Sequence, residues 1–86
     1  MTIQQVQAQR ERIRRAAGAL AIEHNRAGST PDGMTIKAHA ASIYDDGIDQ
    51  AEQAAGNGAM TWVTAAELIA NTYEQLVTDM QKAGRP

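Results

Sequence analysis

Apolar residues recur along the first third of the chain with the alternating three- and four-residue spacing of an amphipathic helix. The stripe comprises Ile3, Val6, Arg10, Ile13, Ala17, Leu20 and His24. This is a heptad a/d pattern held for three repeats, with Arg10 at an a position where a polar residue restricts pairing. Thr2 and Gln5 have the spacing of a capping box, and Gly28 is of the type that ends helices. The pattern predicts a helix over residues 2–27.

A second, weaker amphipathic pattern follows a turn at residues 29–33, where Pro, Asp and Gly favour a chain reversal. The pattern predicts a helix over residues 35–55. Its apolar face consists of Ile36, Ala40, Ile43, Gly47, Ala51 and Ala54. Because most of these side chains are small, another helix can approach this face closely.

The third segment is the most regular. It predicts a helix over residues 61–83 after a Gly-Asn-Gly turn, with Thr61 or Thr64 as its start. Its stripe comprises Trp62, Ala66, Ile69, Tyr73, Leu76, Met80 and Ala83. Thr64 and Glu67 have the spacing of a second capping box. Val63 and Leu68 then occupy the positions of a hydrophobic staple around that cap.

Three helices joined by short polar turns predict an all-α protein, a three-helix antiparallel bundle that forms a single domain over residues 1–86. The alternative is a long helical hairpin that completes its core by dimerisation. The core is thin in either fold, because the chain has no Phe, one Trp and two Tyr, and 17 of its residues are Ala. Cysteine is absent, so disulfides are excluded and oligomerisation is the remaining way to add stability. We therefore expect a homo-oligomer, with a dimer favoured.

Hydropathy and charge bear on where the protein is located and on how its helices dock. No apolar run reaches the roughly 18 residues of a membrane span, and no secretory signal pattern is visible, so we expect no membrane association and a cytoplasmic location. The net charge is −2. Residues 1–43 carry six Lys/Arg and three Asp/Glu, whereas residues 44–86 carry two and seven. The basic and acidic halves favour docking on each other, within one chain or between chains.

The basic residues of the first helix raise the possibility of phosphate contacts. They are Arg10, Arg12, Arg14, Arg15 and Arg26. A nucleic-acid-associated protein is therefore the alternative function. The arginines are spread around the helix, with Arg12 and Arg15 pointing away from the stripe, and no second basic element or stacking aromatic accompanies them. This distribution disfavours nucleic acid as the partner.

Metal chemistry has two candidate clusters. His24 and His39 face each other in an antiparallel hairpin, with Glu23 nearby, but a metal site needs three or four converging ligands. Four carboxylates of the second helix share a face: Asp45, Asp46, Asp49 and Glu52. A phosphate hydrolase would need a second carboxylate pair opposite them, and we expect Glu67 and Glu74 to point to water instead. The sequence therefore predicts no metal, no cofactor and no enzymatic activity.

Tyr44 and Ile48 lie at the edge of the apolar face of the second helix, and Leu68 lies about 120° from the stripe of the third. With Trp62 they are the candidate residues for an exposed patch. Such residues either widen the core or form a surface for a partner. The leading hypothesis is a non-enzymatic helical protein–protein interaction module that self-associates. It would act as an assembly subunit, or as a stoichiometric binder or inhibitor of a larger partner, as small phage or accessory proteins do.

Overall fold

The chain folds into three helices, as the spacing of its apolar residues predicts. A computed structural model describes residues 2–84. Helix α1 spans Ile3–Arg26, α2 spans Ile36–Gly56 and α3 spans Trp62–Ala83. All three pairs of helices are in contact, so the prediction of an all-α three-helix bundle is confirmed. Because α3 packs on both other helices of the same chain, the alternative hairpin fold is wrong. Positions 1, 85 and 86 of the expected domain lie outside the described residues.

Helices α1 and α3 run in the same direction, and α2 runs in the opposite direction. Arg10 contacts Trp62 at the start of α3, whereas Glu23 shares a cleft with Met80 near the end of α3. At that same end, the ring of His24 on α1 contacts the ring of His39, which lies near the start of α2. The order is therefore up-down-up, as short connections between helices require.

Each helix begins at a threonine whose hydroxyl accepts a backbone N–H three residues later. The pairs are Thr2 with Gln5, Thr35 with Ala38 and Thr61 with Thr64. The first is the expected capping box, with both reciprocal hydrogen bonds present.

Of the two starts that the sequence leaves open for α3, Thr61 and Thr64, the structure has the earlier one. Thr61 Oγ1 accepts the Thr64 N–H at 3.2 Å, so Thr64 lies inside the helix. The predicted capping box of Thr64 with Glu67 is wrong, and so is the hydrophobic staple that depended on it. Starting the helix one turn earlier brings Trp62 into α3, where it packs against the core.

Glycines with positive φ end the first two helices. Gly28 has φ +75°, and the next residue, Ser29, donates its N–H to the His24 carbonyl at 2.9 Å. The same pattern recurs at Gly58, which has φ +73°. These are Schellman motifs, which satisfy carbonyls that the helix leaves free, and they confirm the predicted stop at Gly28.

The core is narrow and built mainly from alanine. Among residues 2–84, Ile13 is the one large side chain that is fully buried, and Leu20 and Ile48 are 5% and 8% exposed. The other buried apolar residues are Ala16, Ala17, Ala21, Ala51, Ala65, Ala66 and Ala70. Small side chains let the helices approach closely, but each removes little apolar area from water.

The predicted stripes extend past this core. Ile3, Ile36 and Leu76 occupy stripe positions, yet they are 77%, 38% and 43% exposed. Ile3 and Ile36 lie in the first turns of their helices, where the neighbouring helices no longer cover them. Over residues 2–84, no helix combines the length and the apolar character that a membrane crossing requires.

Candidate functional surfaces

The side chain of Arg12 connects α1 to α3. Its Nε and Nη2 atoms donate to the Glu74 carboxylate at 3.0 and 2.6 Å, and Nη2 also donates to Asn71. The hydrogen bond from Arg12 holds the pKa of Glu74 below its ordinary value. We expected Arg12 to point away from the stripe of α1, and it instead reaches across to α3. Glu74 is exposed, as expected, but it is paired with Arg12. Long side chains at the rim of a helix pair can reach across it, which the stripe pattern does not reveal.

The remaining arginines of the basic run pair mainly with carboxylates on α1 itself. Arg14 and Arg15 share Glu11, with N–O distances of 2.6 and 3.1 Å. The hydrogen bond from Arg14 is the largest contribution lowering the pKa of Glu11. Arg26 pairs with Glu23 at 3.0 Å. A phosphate would have to compete with these carboxylates for the arginines proposed to bind it.

Arg10 is the arginine of this run that meets an aromatic ring. Its guanidinium carbon lies 5.1 Å from the centroid of the Trp62 ring, within the range of a cation–π contact. Arg10, the polar residue at a heptad a position, therefore contacts α3 of its own chain. That Arg10 also restricts pairing with other chains stays a prediction.

The four candidate partner residues are placed differently from one another. Ile48 is buried in the core, so it widens the core rather than meeting a partner. Tyr44 and Trp62 are half-buried and pack against the core. Leu68 is 51% exposed and available to another molecule.

Several large apolar side chains lie outside the core and are exposed. They are Ile3, Ile22, Met34, Ile36, Met60, Leu68 and Leu76, at 36% to 77% exposure. Sequence reasoning missed Ile22. The signal was present, because two residues apart on a helix differ by about 200°, which places Ile22 almost opposite the buried Leu20.

A groove of about 380 Å³ lies between α1 and α2. It is lined by Arg14, Gly18, Lys37, Ala40, Ala41 and Tyr44, and we refer to it as the α1/α2 groove. Its floor is made of small residues, and its two cationic side chains are exposed. Ile22 lies one turn beyond Gly18 on the same side of α1, which extends the apolar surface toward the end of the helix. The groove therefore combines an apolar floor with positive charge.

The two histidines meet as the sequence predicts. Their ring centroids are 5.3 Å apart in an edge-to-face arrangement. His24 Nδ1 lies 2.9 Å from the Ser29 hydroxyl, whereas His39 Nδ1 is buried with no hydrogen-bond partner among the described residues. Glu23 is engaged by Arg26. Within residues 2–84, no three His, Cys, Asp or Glu residues are grouped as a metal site requires, and the carboxylates of α2 point outward.

These features define a small helical bundle with an uneven distribution of exposed apolar side chains and charge. Comparisons of the chain with protein-family models, with curated proteins and with solved structures find no match.

Proposed function

We propose that the chain is a non-enzymatic helical protein–protein interaction module that self-associates. The observation that supports this most directly is the imbalance between covered and uncovered apolar residues. Among residues 2–84, seven large apolar side chains are at least 36% exposed, while one large side chain is fully buried. Fully burying a Leu or Ile side chain contributes about 1.5–3 kcal/mol, so covering each of these partly exposed side chains by association adds a fraction of that to what the alanine-rich core provides.

The charged groups are consistent with this role. Both carboxylates of α1 are engaged by arginines of the same helix, Glu11 by Arg14 and Glu23 by Arg26. In this proposal the protein works in the cytoplasm as an assembly subunit, or as a stoichiometric binder of a larger partner, in the manner of a small phage or accessory protein.

The test is the solution mass by light scattering, over a concentration series at low salt and at about 0.5 M salt, where exposed charges are screened. The proposal expects a mass above the 9.2 kDa of one chain. Replacing exposed Leu68 and Leu76 together by Ser should lower that mass. The matched control replaces Thr64 and Thr78, which are exposed on α3, by Ser. A stable monomer at all concentrations would contradict the proposal, the more so if it bound a small ligand or metal at micromolar affinity.

A further inference from the structure

One face of α3 presents a ridge of exposed residues at successive turns. Leu68, Thr72 and Leu76 are four residues apart, so they lie along one side of the helix. All three are exposed, the two leucines by 51% and 43%. We refer to these three residues as the α3 ridge.

The polar residue at the centre of the α3 ridge does not oppose burial. Thr72 Oγ1 donates to the Leu68 carbonyl at 2.9 Å, so its hydroxyl hydrogen is already satisfied inside the helix. A polar group that keeps its hydrogen bond loses little when another surface covers it. The α3 ridge can therefore be covered along its whole length.

Negative charge lies beside the α3 ridge. Asp79 follows Leu76 by three residues and so neighbours it on the helix surface. Asp46 is exposed on α2, next to Gly47, which packs against Tyr73 of α3. Tyr73 lies three residues before Leu76. The α3 ridge is thus apolar with acidic neighbours.

The α1/α2 groove has the opposite character. Its floor of Gly18, Ala40 and Ala41 is small enough to receive large side chains, and Lys37 supplies positive charge beside it. Arg14 lies there too and shares Glu11 with Arg15, so these three side chains keep one positive charge in excess. A Cβ added at Gly18 would meet no atom within 4 Å, so the floor at this position is open. Large apolar side chains with acidic neighbours complement small apolar residues with basic neighbours.

We propose that the α3 ridge of one copy of the chain docks in the α1/α2 groove of a second copy. This inference rests on the proposed self-association and names the two surfaces that carry it. Because the surfaces differ, the contact is heterologous, and repeating it builds rings or open chains rather than a symmetrical dimer. The charge asymmetry between the two halves of the sequence is then satisfied partly between copies.

The absence of cysteine from the natural chain gives a direct test. Ala41→Cys places a thiol in the groove and Thr72→Cys places one at the centre of the ridge, and both positions are exposed. With a mass tag on one variant, the mixture should form a disulfide between the two variants under mild oxidation, while each variant alone should not. Thr78→Cys is the matched control, because its hydroxyl also bonds a carbonyl four residues earlier, but it lies about 120° around the helix.

A second pair of variants separates docking from folding. Gly18→Leu places a large side chain in the groove at a position where a Cβ meets no atom within 4 Å, and it removes a glycine from a helix interior. It should weaken association about tenfold or more, with no loss of thermal stability in the dilute monomer. Gly56→Ala, at an open position at the end of α2, is the control that leaves association unchanged.

The outcomes distinguish the two proposals. A chain that is monomeric by light scattering overturns both. Association with a disulfide in Thr72→Cys alone means that ridge meets ridge, which overturns the heterologous contact but not self-association. If the chain associates, but Gly18→Leu does not weaken the association and the mixed thiol variants form no disulfide, the docking inference is overturned while self-association stands.

Discussion

A Cβ atom on Gly47 of α2 would lie 3.1 Å from the hydroxyl oxygen of Tyr73 on α3 and 3.3 Å from Ile13 Cγ2 on α1. Tyr73 cannot move aside freely, because its hydroxyl donates to the Ile43 carbonyl at 3.2 Å. Gly47→Ala should therefore lower the free energy of unfolding by about 1–3 kcal/mol, through overpacking at the point where all three helices meet. Urea denaturation followed by circular dichroism measures this change.

The control for this prediction is Gly18, the glycine in the interior of α1. Nothing lies within 4 Å of a Cβ built there, so Gly18→Ala meets no steric cost. It should raise the free energy of unfolding by about 0.5–1 kcal/mol, because alanine favours the helix. If both substitutions stabilised the protein equally, the close approach at Gly47 would not limit the packing of α2.

The ion pair between Arg12 and Glu74 predicts a loss of stability in acid. Folding lowers the pKa of Glu74, so its contribution is complete above the ordinary carboxyl pKa of 4.5 and is lost as the pH falls through the lower folded value. Both side chains are partly exposed, so we expect a coupling of about 0.2–1 kcal/mol in a double-mutant cycle with Arg12→Ala and Glu74→Ala. Thermal unfolding between pH 2 and pH 7 measures the pH dependence.

Glu74→Gln should flatten this acid dependence, whereas Glu52→Gln on the exposed face of α2 should leave it unchanged. The same acid dependence in wild type and Glu74→Gln would show that the interhelical pair does not contribute. High salt should reduce the coupling, since the pair is accessible to water.

The half-buried phenol of Tyr73 leads us to expect that the protein loses stability at alkaline pH. Burial, with a smaller contribution from Asp46, raises the pKa of the Tyr73 hydroxyl above its ordinary value of 10.0. Stability from the neutral phenol is complete below that ordinary value, and it is lost as the pH rises through the folded pKa. Tyr73→Phe should remove this dependence and cost about 0.5–1.5 kcal/mol at neutral pH, because the bond to the Ile43 carbonyl is lost.

Phenolate absorbance during an alkaline titration measures the pKa directly. Tyr44→Phe is the companion variant, since the chain has two tyrosines and removing either one assigns the other signal. A Tyr73 phenol that titrates at or below its ordinary value in the folded protein would contradict the prediction.

Local interactions account for what the sequence predicted well. The cap at Thr2 and the stop at Gly28 depend on atoms within five residues of each other, so the sequence determines them almost alone. The start of α3 depends on more, because Thr61 and Thr64 are equally good caps. The earlier one is used because Trp62 then packs against the core, a gain that depends on the other two helices.

The ion pair at Arg12 and the α1/α2 groove were harder to predict, because they too depend on how the helices pack together. The direction of Arg12 follows from the relative rotation of α1 and α3, which places Glu74 within reach. Helical spacing gives the position of Ile22 on α1 but does not show that a groove lies beside it. The charged pairs and the exposed apolar residues therefore emerge only when the helices are packed together.

The contact between Arg10 and Trp62 gives the last prediction, and the single tryptophan of the chain reports on it. Arg10→Ala should alter the fluorescence of folded Trp62 and lower the free energy of unfolding by about 0.5–1 kcal/mol, because the cation leaves the ring face. Arg10→Lys keeps a cation and should retain part of both effects. Arg15→Ala is the control that should leave the fluorescence unchanged, because the Arg15 side chain is 79% exposed and pairs with Glu11 of the same helix. If Arg10→Ala altered fluorescence only at concentrations where the chain associates, Arg10 would act between copies rather than within one bundle.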